Sequence, residues 1–186
     1  MKSKVKKFII DALEVLLIAY IIAFLLTHFV ISSSIVDGPS MQPTLYTNDY
    51  GFSFVISRNI GINRFDIAVI DRGDELLVKR VIGLPNDKVV YKNNELYIND
   101  VKYDEDYLGE DAYTNDLEIV LNDDEYFCLG DNRNNSADSR TFGPFKKEQI
   151  KSTHLFILYP FDRWGYKKWV IFNGFLATWP RLIKKY

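Results

Sequence analysis

The first 31 residues carry a hydropathy pattern unlike that of the rest of the chain. Residues 8–31 form an apolar stretch with no charged residue from Val15 to Ile31. Because about 20 apolar residues cross a bilayer core of about 30 Å, this stretch predicts a transmembrane anchor. A cleaved secretory signal is the alternative. The apolar region of such a signal spans only about 7–15 residues, however, so the length favours an anchor.

The residues in front of the apolar stretch predict its orientation. Residues 1–7 contain four lysines, Lys2, Lys4, Lys6 and Lys7. Basic residues beside a membrane helix are retained in the cytoplasm. We therefore expect a cytoplasmic basic tail over residues 1–7 and an extracytoplasmic domain over residues 32–165. The protein is accordingly expected in the cell membrane, with a single membrane pass.

Beyond residue 31 the apolar residues occur in short runs bounded by Gly, Asn, Asp or Arg, which predict β-strands. The runs are Tyr50–Ile56, Asp66–Asp71, Glu75–Ile82, Val89–Lys92, Glu95–Ile98, Glu118–Leu121, Tyr126–Leu129 and Leu155–Tyr159. Asn93 and Asn94 predict a tight hairpin turn, because Asn tolerates positive φ. Strands this short and frequent indicate an antiparallel sandwich or barrel. The expected fold is mainly β, preceded by one N-terminal transmembrane helix.

The last part of the chain, residues 166–186, is basic and aromatic. Its apolar run Trp169–Trp179 contains eleven residues, including Asn173 and Gly174, and is too short to cross a membrane. With five basic residues around it, this tail fits an interfacial membrane segment. Packing against the β domain is the alternative that the sequence leaves open.

Charge and cysteine content exclude several classes of function. The net charge is -2, which argues against a nucleic-acid partner. Residues 99–126 hold eleven acidic residues and one basic residue, and they are expected to form a solvated loop or hairpin. Cys128 is the one cysteine, so we expect no internal disulfide, no cysteine nucleophile and no cysteine-based metal site.

Three segments combine residue types suited to catalysis. In the first, Gly38–Leu45, prolines flank Ser40 and place its hydroxyl on a stiff turn. The second segment is Leu77–Pro85. Its neighbours Lys79 and Arg80 must point to opposite faces of a strand, so one of them is directed toward the apolar interior. Burial would lower the pKa of such a lysine and allow it to act as a base.

The third segment, Gly130–Gly143, is dense in turn formers, hydroxyl groups and charges, and includes Asp138 and Arg140. A polar surface loop held by its own side chains is the plain interpretation. Histidines are scarce. His28 lies in the predicted anchor, which leaves His154 as the candidate for a Ser-His-Asp arrangement.

Together the three segments resemble, in the same order, the motifs of type I signal peptidases of the single-anchor, Gram-positive kind. The matching motifs are Ser-Met-x-Pro-Thr, Lys-Arg-Val-Ile-Gly-x-Pro and Gly-Asp-Asn-Arg-x-x-Ser-x-Asp-Ser-Arg. The resemblance implies that Ser40 is the nucleophile and Lys79 its general base, without histidine. It implies that Ser136 orients the lysine through a hydrogen bond, and that Asp138 and Arg140 brace the site.

The resemblance also implies a substrate, an exported preprotein cut after a small-x-small sequence. Five residues would line shallow apolar pockets for the small side chains: Val36, Met41, Leu45, Leu77 and Val78. The backbone N–H of Ser40 would bind the oxyanion, whereas Gly38 stands where some relatives have a second donor, a serine. No cofactor or metal is expected, and the lipid bilayer is the other expected partner, with the protein acting as a monomer.

Other functions are compatible with parts of this pattern. Penicillin-recognising enzymes place a lysine three residues after the serine, where this chain has Pro43. Soluble self-cleaving repressors share a similar dyad, but the anchor argues against them. A processing peptidase specialised for pilins or conjugation, and a non-catalytic membrane-tethered binding protein on the same fold, remain as alternatives.

Overall fold

A computed structural model of the chain describes residues 2–55 and 57–166, but not the side chains at positions 2, 3, 26–29, 58 and 166. The expected basic and aromatic tail therefore lies outside the described residues from position 167 onward. The chain begins with helix α1, Lys2–Phe29, which includes most of the expected basic tail. Its segment Lys4–Leu25 is long and apolar enough to cross a membrane. None of the other described residues covers the apolar side chains of this segment, so lipid is their natural environment.

The larger sheet has the strand order β1-β2-β11-β3-β4-β9-β10, with β12 paired to β11. All of its pairs are antiparallel. The strands are β1 Ile31–Ile35, β2 Tyr50–Phe54, β3 Ile67–Asp71, β4 Leu76–Gly83, β9 Glu125–Leu129, β10 Phe145–Lys146, β11 Ile150–Tyr159 and β12 Gly165–Tyr166. Short helices α2, Ser57–Ile60, and α3, Ser139–Phe142, and 3₁₀ turns at Arg133–Asn135, Lys147–Gln149 and Phe161–Arg163 complete the described elements.

A smaller antiparallel sheet has the order β7-β6-β5-β8. Its strands are β5 Lys88–Lys92, β6 Glu95–Ile98, β7 Val101–Tyr103 and β8 Leu117–Val120. Asn93 and Asn94 form the β5–β6 turn with φ of 53° and 64°, as the sequence predicts. A core that includes Val89 and Leu96 from this sheet and Ile82 and Leu129 from the larger one joins the two. The prediction of a mainly antiparallel β domain behind an apolar helix is confirmed.

Strand β4 is covered on both faces, and this decides the surroundings of its charged residues. From Lys79 to Gly83 every residue is buried. Val81 packs into one core with Ile70 and Cys128, whereas Ile82 packs into the core shared with the smaller sheet. Lys79 and Arg80 are therefore both buried, at 3% and 0% exposure, although alternation alone predicts an apolar environment for only one of them.

The first strand was missed by sequence patterns. The apolar stretch predicts a helix to residue 31, but α1 ends at Phe29 and β1 begins at Ile31. Three serines in β1 hide its strand character, and it is held by pairing with β2 from Ile31–Phe54 to Ile35–Tyr50. Strands β7, β10 and β12 were missed for a different reason, since each has only two or three residues. Strand β1 leads the chain from the helix directly to Ser40.

Candidate active site

The first two segments meet at Ser40 and Lys79. Ser40 lies in a turn after β1, closed by hydrogen bonds from Gln42 N to Pro39 O (3.1 Å) and from Leu45 N to Met41 O (2.9 Å). Lys79 lies in the middle of β4. Its Nζ donates a hydrogen bond to Ser40 Oγ at 2.8 Å and a second one to the carbonyl of Val78 at 3.1 Å. The two residues that the motifs predict as a dyad are thus in direct contact.

The surroundings of Lys79 favour an uncharged amine. Burial lowers the pKa of Lys79, and the negative charges of Asp138 and Glu75 oppose this effect only in part. A neutral amine can accept a proton from a hydroxyl at hydrogen-bond distance. Ser40 is itself partly exposed, so a substrate can reach its oxygen. The geometry suits a serine activated by a lysine.

A buried ion pair holds the Ser40 turn against β4. Arg80 donates from Nε to Asp131 Oδ1 at 2.8 Å and from Nη2 to Oδ2 at 2.6 Å. Thr44 in the Ser40 turn donates to the same carboxylate at 2.5 Å. Asn132 N donates to the carbonyl of Ser40 at 3.0 Å. Burial disfavours the charged guanidinium, but the bonds to Asp131 outweigh it and raise the pKa of Arg80.

The predicted bracing pair forms at the start of α3. Asp138 caps α3 by accepting from Arg140 N and also accepts from Gly130 N at 3.0 Å. Arg140 donates to both carboxylate oxygens, at 2.9 and 2.8 Å. Although burial disfavours a carboxylate, the bonds from Arg140 and Gly130 lower the pKa of Asp138. This charged pair fixes the loop that carries Gly130 beside the dyad.

Ser136 does not make the bond to Lys79 that the resemblance implies. Within the described residues, its Oγ is buried and has no hydrogen-bond partner. Ser136 packs against Gly130, where an added Cβ would overlap both Ser136 Oγ and the carbonyl oxygen of Ser40. Glycine is therefore required at position 130 for the third segment to approach the Ser40 turn this closely.

A cleft of about 840 Å³ opens beside the dyad. Both Ser40 and Lys79 line it, together with four of the five predicted pocket residues, Val36, Met41, Leu77 and Val78. The prediction for Leu45 is wrong, because this side chain is fully buried in the core beneath Val36 and Met41 and does not line the cleft. Residues 32–35 of β1 and residues 76–79 of β4 form much of its wall, although these two segments lie far apart in the chain.

Other candidate chemistry is not supported at this cleft. His154 on β11 and Cys128 on β9 lie outside its lining, and burial raises the pKa of the Cys128 thiol. Over residues 2–55 and 57–166, no group of three or more His, Cys, Asp or Glu is placed to hold a metal ion.

Sequence reasoning missed Thr44, Asp131 and Gly130 as residues that assemble the site. All three lie inside the motifs. Thr44 follows Ser40 by four residues, and Gly130 and Asp131 come just before Asn132. A buried arginine next to Lys79 needs a carboxylate partner, and this requirement was the available signal. Which of the nearby acidic residues supplies the carboxylate depends on the fold.

Comparisons with known proteins identify a family and several relatives of this chain. The family described as "Signal peptidase, peptidase S26" matches residues 9–159. The chain is 41% identical over 170 residues to signal peptidase I S of Bacillus subtilis (strain 168), covering 84% of this chain and 92% of the relative. It is 31% identical over 182 residues to signal peptidase IB of Staphylococcus aureus (strain MRSA252), covering 87% and 95%.

A crystal structure of a signal peptidase I from Enterococcus faecalis V583 is similar at 32% identity with a TM-score of 0.46, covering 50% of this chain and 96% of that one. The family match spans the helix, the Ser40 turn, β4 and the third segment, and the similarity to the Bacillus and Staphylococcus enzymes extends over nearly their whole length. The chain therefore belongs to the signal peptidase family, peptidase S26, and is a serine peptidase.

Proposed function

We propose that this protein is a signal peptidase I that cleaves signal peptides with Ser40 as nucleophile and Lys79 as general base. The observation that carries the proposal is the 2.8 Å contact between Lys79 Nζ and Ser40 Oγ, made by a lysine that is only 3% exposed. A charged lysine in this position would hold the hydroxyl proton in place, whereas a neutral one accepts it.

The proposed reaction follows from this contact. Ser40 Oγ attacks the scissile carbonyl carbon while its proton passes to Lys79 Nζ. The backbone N–H of Ser40 stabilises the oxyanion of the tetrahedral intermediate. The ammonium of Lys79 then protonates the leaving amine as the peptide bond breaks, which leaves an ester on Ser40. Lys79, neutral again, deprotonates the water that hydrolyses this ester and regenerates the hydroxyl.

The third segment is proposed to support the dyad. Asp138 and Arg140 brace the loop through their paired bonds, and carry no proton in the reaction. Ser136 lies against Gly130 beside the Ser40 carbonyl. Once Ser40 is acylated and no longer accepts from Lys79, the free hydroxyl of Ser136 is the group proposed to orient the amine.

The proposed substrates are exported preproteins cut after a small-x-small sequence. Val36, Met41, Leu77 and Val78 line the cleft beside Ser40, and apolar walls of this kind exclude larger side chains by shape. Both residues of the proposed dyad come from one chain, which fits action as a monomer. The lysines at the start of α1 support a cytoplasmic N-terminus and a cleft on the outer side, where preproteins emerge from the membrane.

The experiment that tests the proposal compares the full chain with two variants in detergent micelles, using a preprotein substrate and gel analysis of the product. We expect Ser40→Ala and Lys79→Ala to remain folded by circular dichroism and to lose activity by about 10³-fold or more. Lys92→Ala, on the exposed end of β5 and outside the lining of the cleft, is the matched control and should keep full activity. Substantial turnover by either dyad variant would refute the assignment.

A further inference from the structure

The turn between β3 and β4, residues 71–76, makes an aromatic contact with α3. The guanidinium carbon of Arg72 lies 3.8 Å from the centre of the Phe142 ring, within the range of a cation–π interaction. Arg72 is also tied to its own turn, since its backbone N–H donates to the carbonyl of Glu75 at 3.0 Å and its guanidinium donates to the Glu75 carboxylate. Arg72 therefore connects the whole turn to Phe142.

The two sides of this contact differ in how firmly they are held. Helix α3 is fixed to the catalytic loop and to β9, because Asp138 accepts from Gly130 N and Ser139 Oγ accepts from Cys128 N at 2.9 Å. Phe142 is thus presented from a rigid support. The β3–β4 turn, in contrast, projects into solvent, with Leu76 65% exposed. A contact between a fixed and an exposed element restrains the exposed one.

The exposed turn continues directly into one wall of the cleft. Residues 75–79 line the cleft in an unbroken run, ending at the proposed base Lys79. Asp71 of the same turn also forms an ion pair with Lys151 at 2.9 Å. An outward movement of the turn would carry Leu77 and Val78 with it and widen the cleft next to Ser40.

We propose that Arg72 and Phe142 are positioning residues that set substrate specificity, because their contact holds the Glu75–Val78 wall close enough to exclude large side chains. Neither residue lines the cleft, so both act through the wall. This inference rests on the proposed function and deepens it. It assigns a role to Phe142, which lies in the third segment but has no place in the dyad or its bracing pair.

The test measures discrimination between two substrates in the full chain in detergent. They are preproteins that differ only in having Ala or Leu before the cleaved bond, and kcat and KM are measured for each. In Phe142→Leu the apolar bulk is kept and the ring is lost. We expect the Ala-to-Leu ratio of kcat/KM to fall by about two- to fivefold, the factor that an exposed cation–π contact is worth. The change should come from faster cleavage of the Leu substrate, with kcat for the Ala substrate unchanged.

Further variants separate positioning from a merely structural effect. Arg72→Ala should lower the ratio as much as Phe142→Leu, the double variant should lower it no further, and Phe142→Tyr should retain it. Tyr103→Leu is the matched control. Tyr103 lies on β7 and does not line the cleft, and the guanidinium carbon of Arg64 lies 5.5 Å from the centre of its ring. It should leave the ratio unchanged.

Two results would overturn the inference while the wild type remains active. One is an unchanged ratio in both Phe142→Leu and Arg72→Ala. The other is an equal loss of kcat/KM for both substrates together with a lower Tm, which would make the contact structural only. Absence of cleavage by the wild type would refute the proposed function, and this inference with it.

Discussion

The buried pair of Arg80 and Asp131 offers the sharpest test of how the site is assembled. Both side chains have 0% exposure, and Asp131 accepts two hydrogen bonds from Arg80 and one from Thr44. Asp131→Asn keeps the shape of the side chain but removes its charge. Arginine cannot escape by losing its proton, since its pKa is above about 12. The variant therefore leaves an uncompensated positive charge in the core.

The expected cost is large. Removing one partner of a fully buried ion pair destabilises a protein by about 3–5 kcal/mol. For a chain of this size 1 kcal/mol shifts Tm by about 2–4 °C, so we expect Asp131→Asn to lower Tm by about 6–20 °C. Because Thr44 also depends on this carboxylate, the Ser40 turn should loosen, and kcat should fall even at temperatures well below Tm.

The assay is thermal unfolding of the full chain in detergent, followed by near-ultraviolet circular dichroism. Glu118→Gln breaks the exposed ion pair of Lys88 and Glu118 and should leave Tm unchanged. The double variant Arg80→Met/Asp131→Leu replaces the pair by apolar side chains and should recover most of the lost stability. A loss in Asp131→Asn no greater than that in Glu118→Gln would refute the reasoning.

Two further predictions concern the dyad and the glycine beside it. Because burial lowers the pKa of Lys79 and the neutral amine is the proposed active form, kcat/KM should rise with pH to a plateau with an apparent pKa below 10.5, the ordinary lysine value. The negative charge of Glu75 opposes this lowering, so Glu75→Gln should move the midpoint slightly to lower pH in a pH–rate profile, and a shift to higher pH would contradict this account. Gly130→Ala should reduce kcat by about 10²-fold, because its methyl group would displace Ser136 and the Ser40 carbonyl. Gly109→Ala, where an added Cβ has its nearest neighbour at 4.0 Å, should have no effect, and equal kcat values for the two variants would contradict the packing argument.

Local patterns were sufficient for the N-terminal helix, for most of the strands and for the β5–β6 turn. The apolar stretch of residues 8–31 predicted the helix within a few residues of its end at Phe29. Asn93 and Asn94 predicted the β5–β6 turn, because positive φ is a property of the residues themselves. Three ordered motifs were sufficient for the family, and they placed the candidate nucleophile and base at Ser40 and Lys79.

Residues whose environment depends on distant parts of the chain could not be placed in this way. Periodicity gives the face of β4 to which Arg80 points, but it does not show that β4 is covered on both sides. No local pattern shows that Leu45, in the turn that carries Ser40, is fully buried in the core. The partner of Arg80 lies 51 positions away in the chain, and several acidic residues of equal local character are closer.

The sequence by itself determined the membrane helix, the mainly β class, the family and the identity of the candidate dyad, because each is carried by neighbouring residues or by a contiguous motif. The tertiary structure alone decided the contact between Lys79 and Ser40, the absence of a bond from Ser136 to Lys79 and the contact between Arg72 and Phe142. These features depend on distances between segments far apart in the chain, and such distances are set by packing of the whole domain.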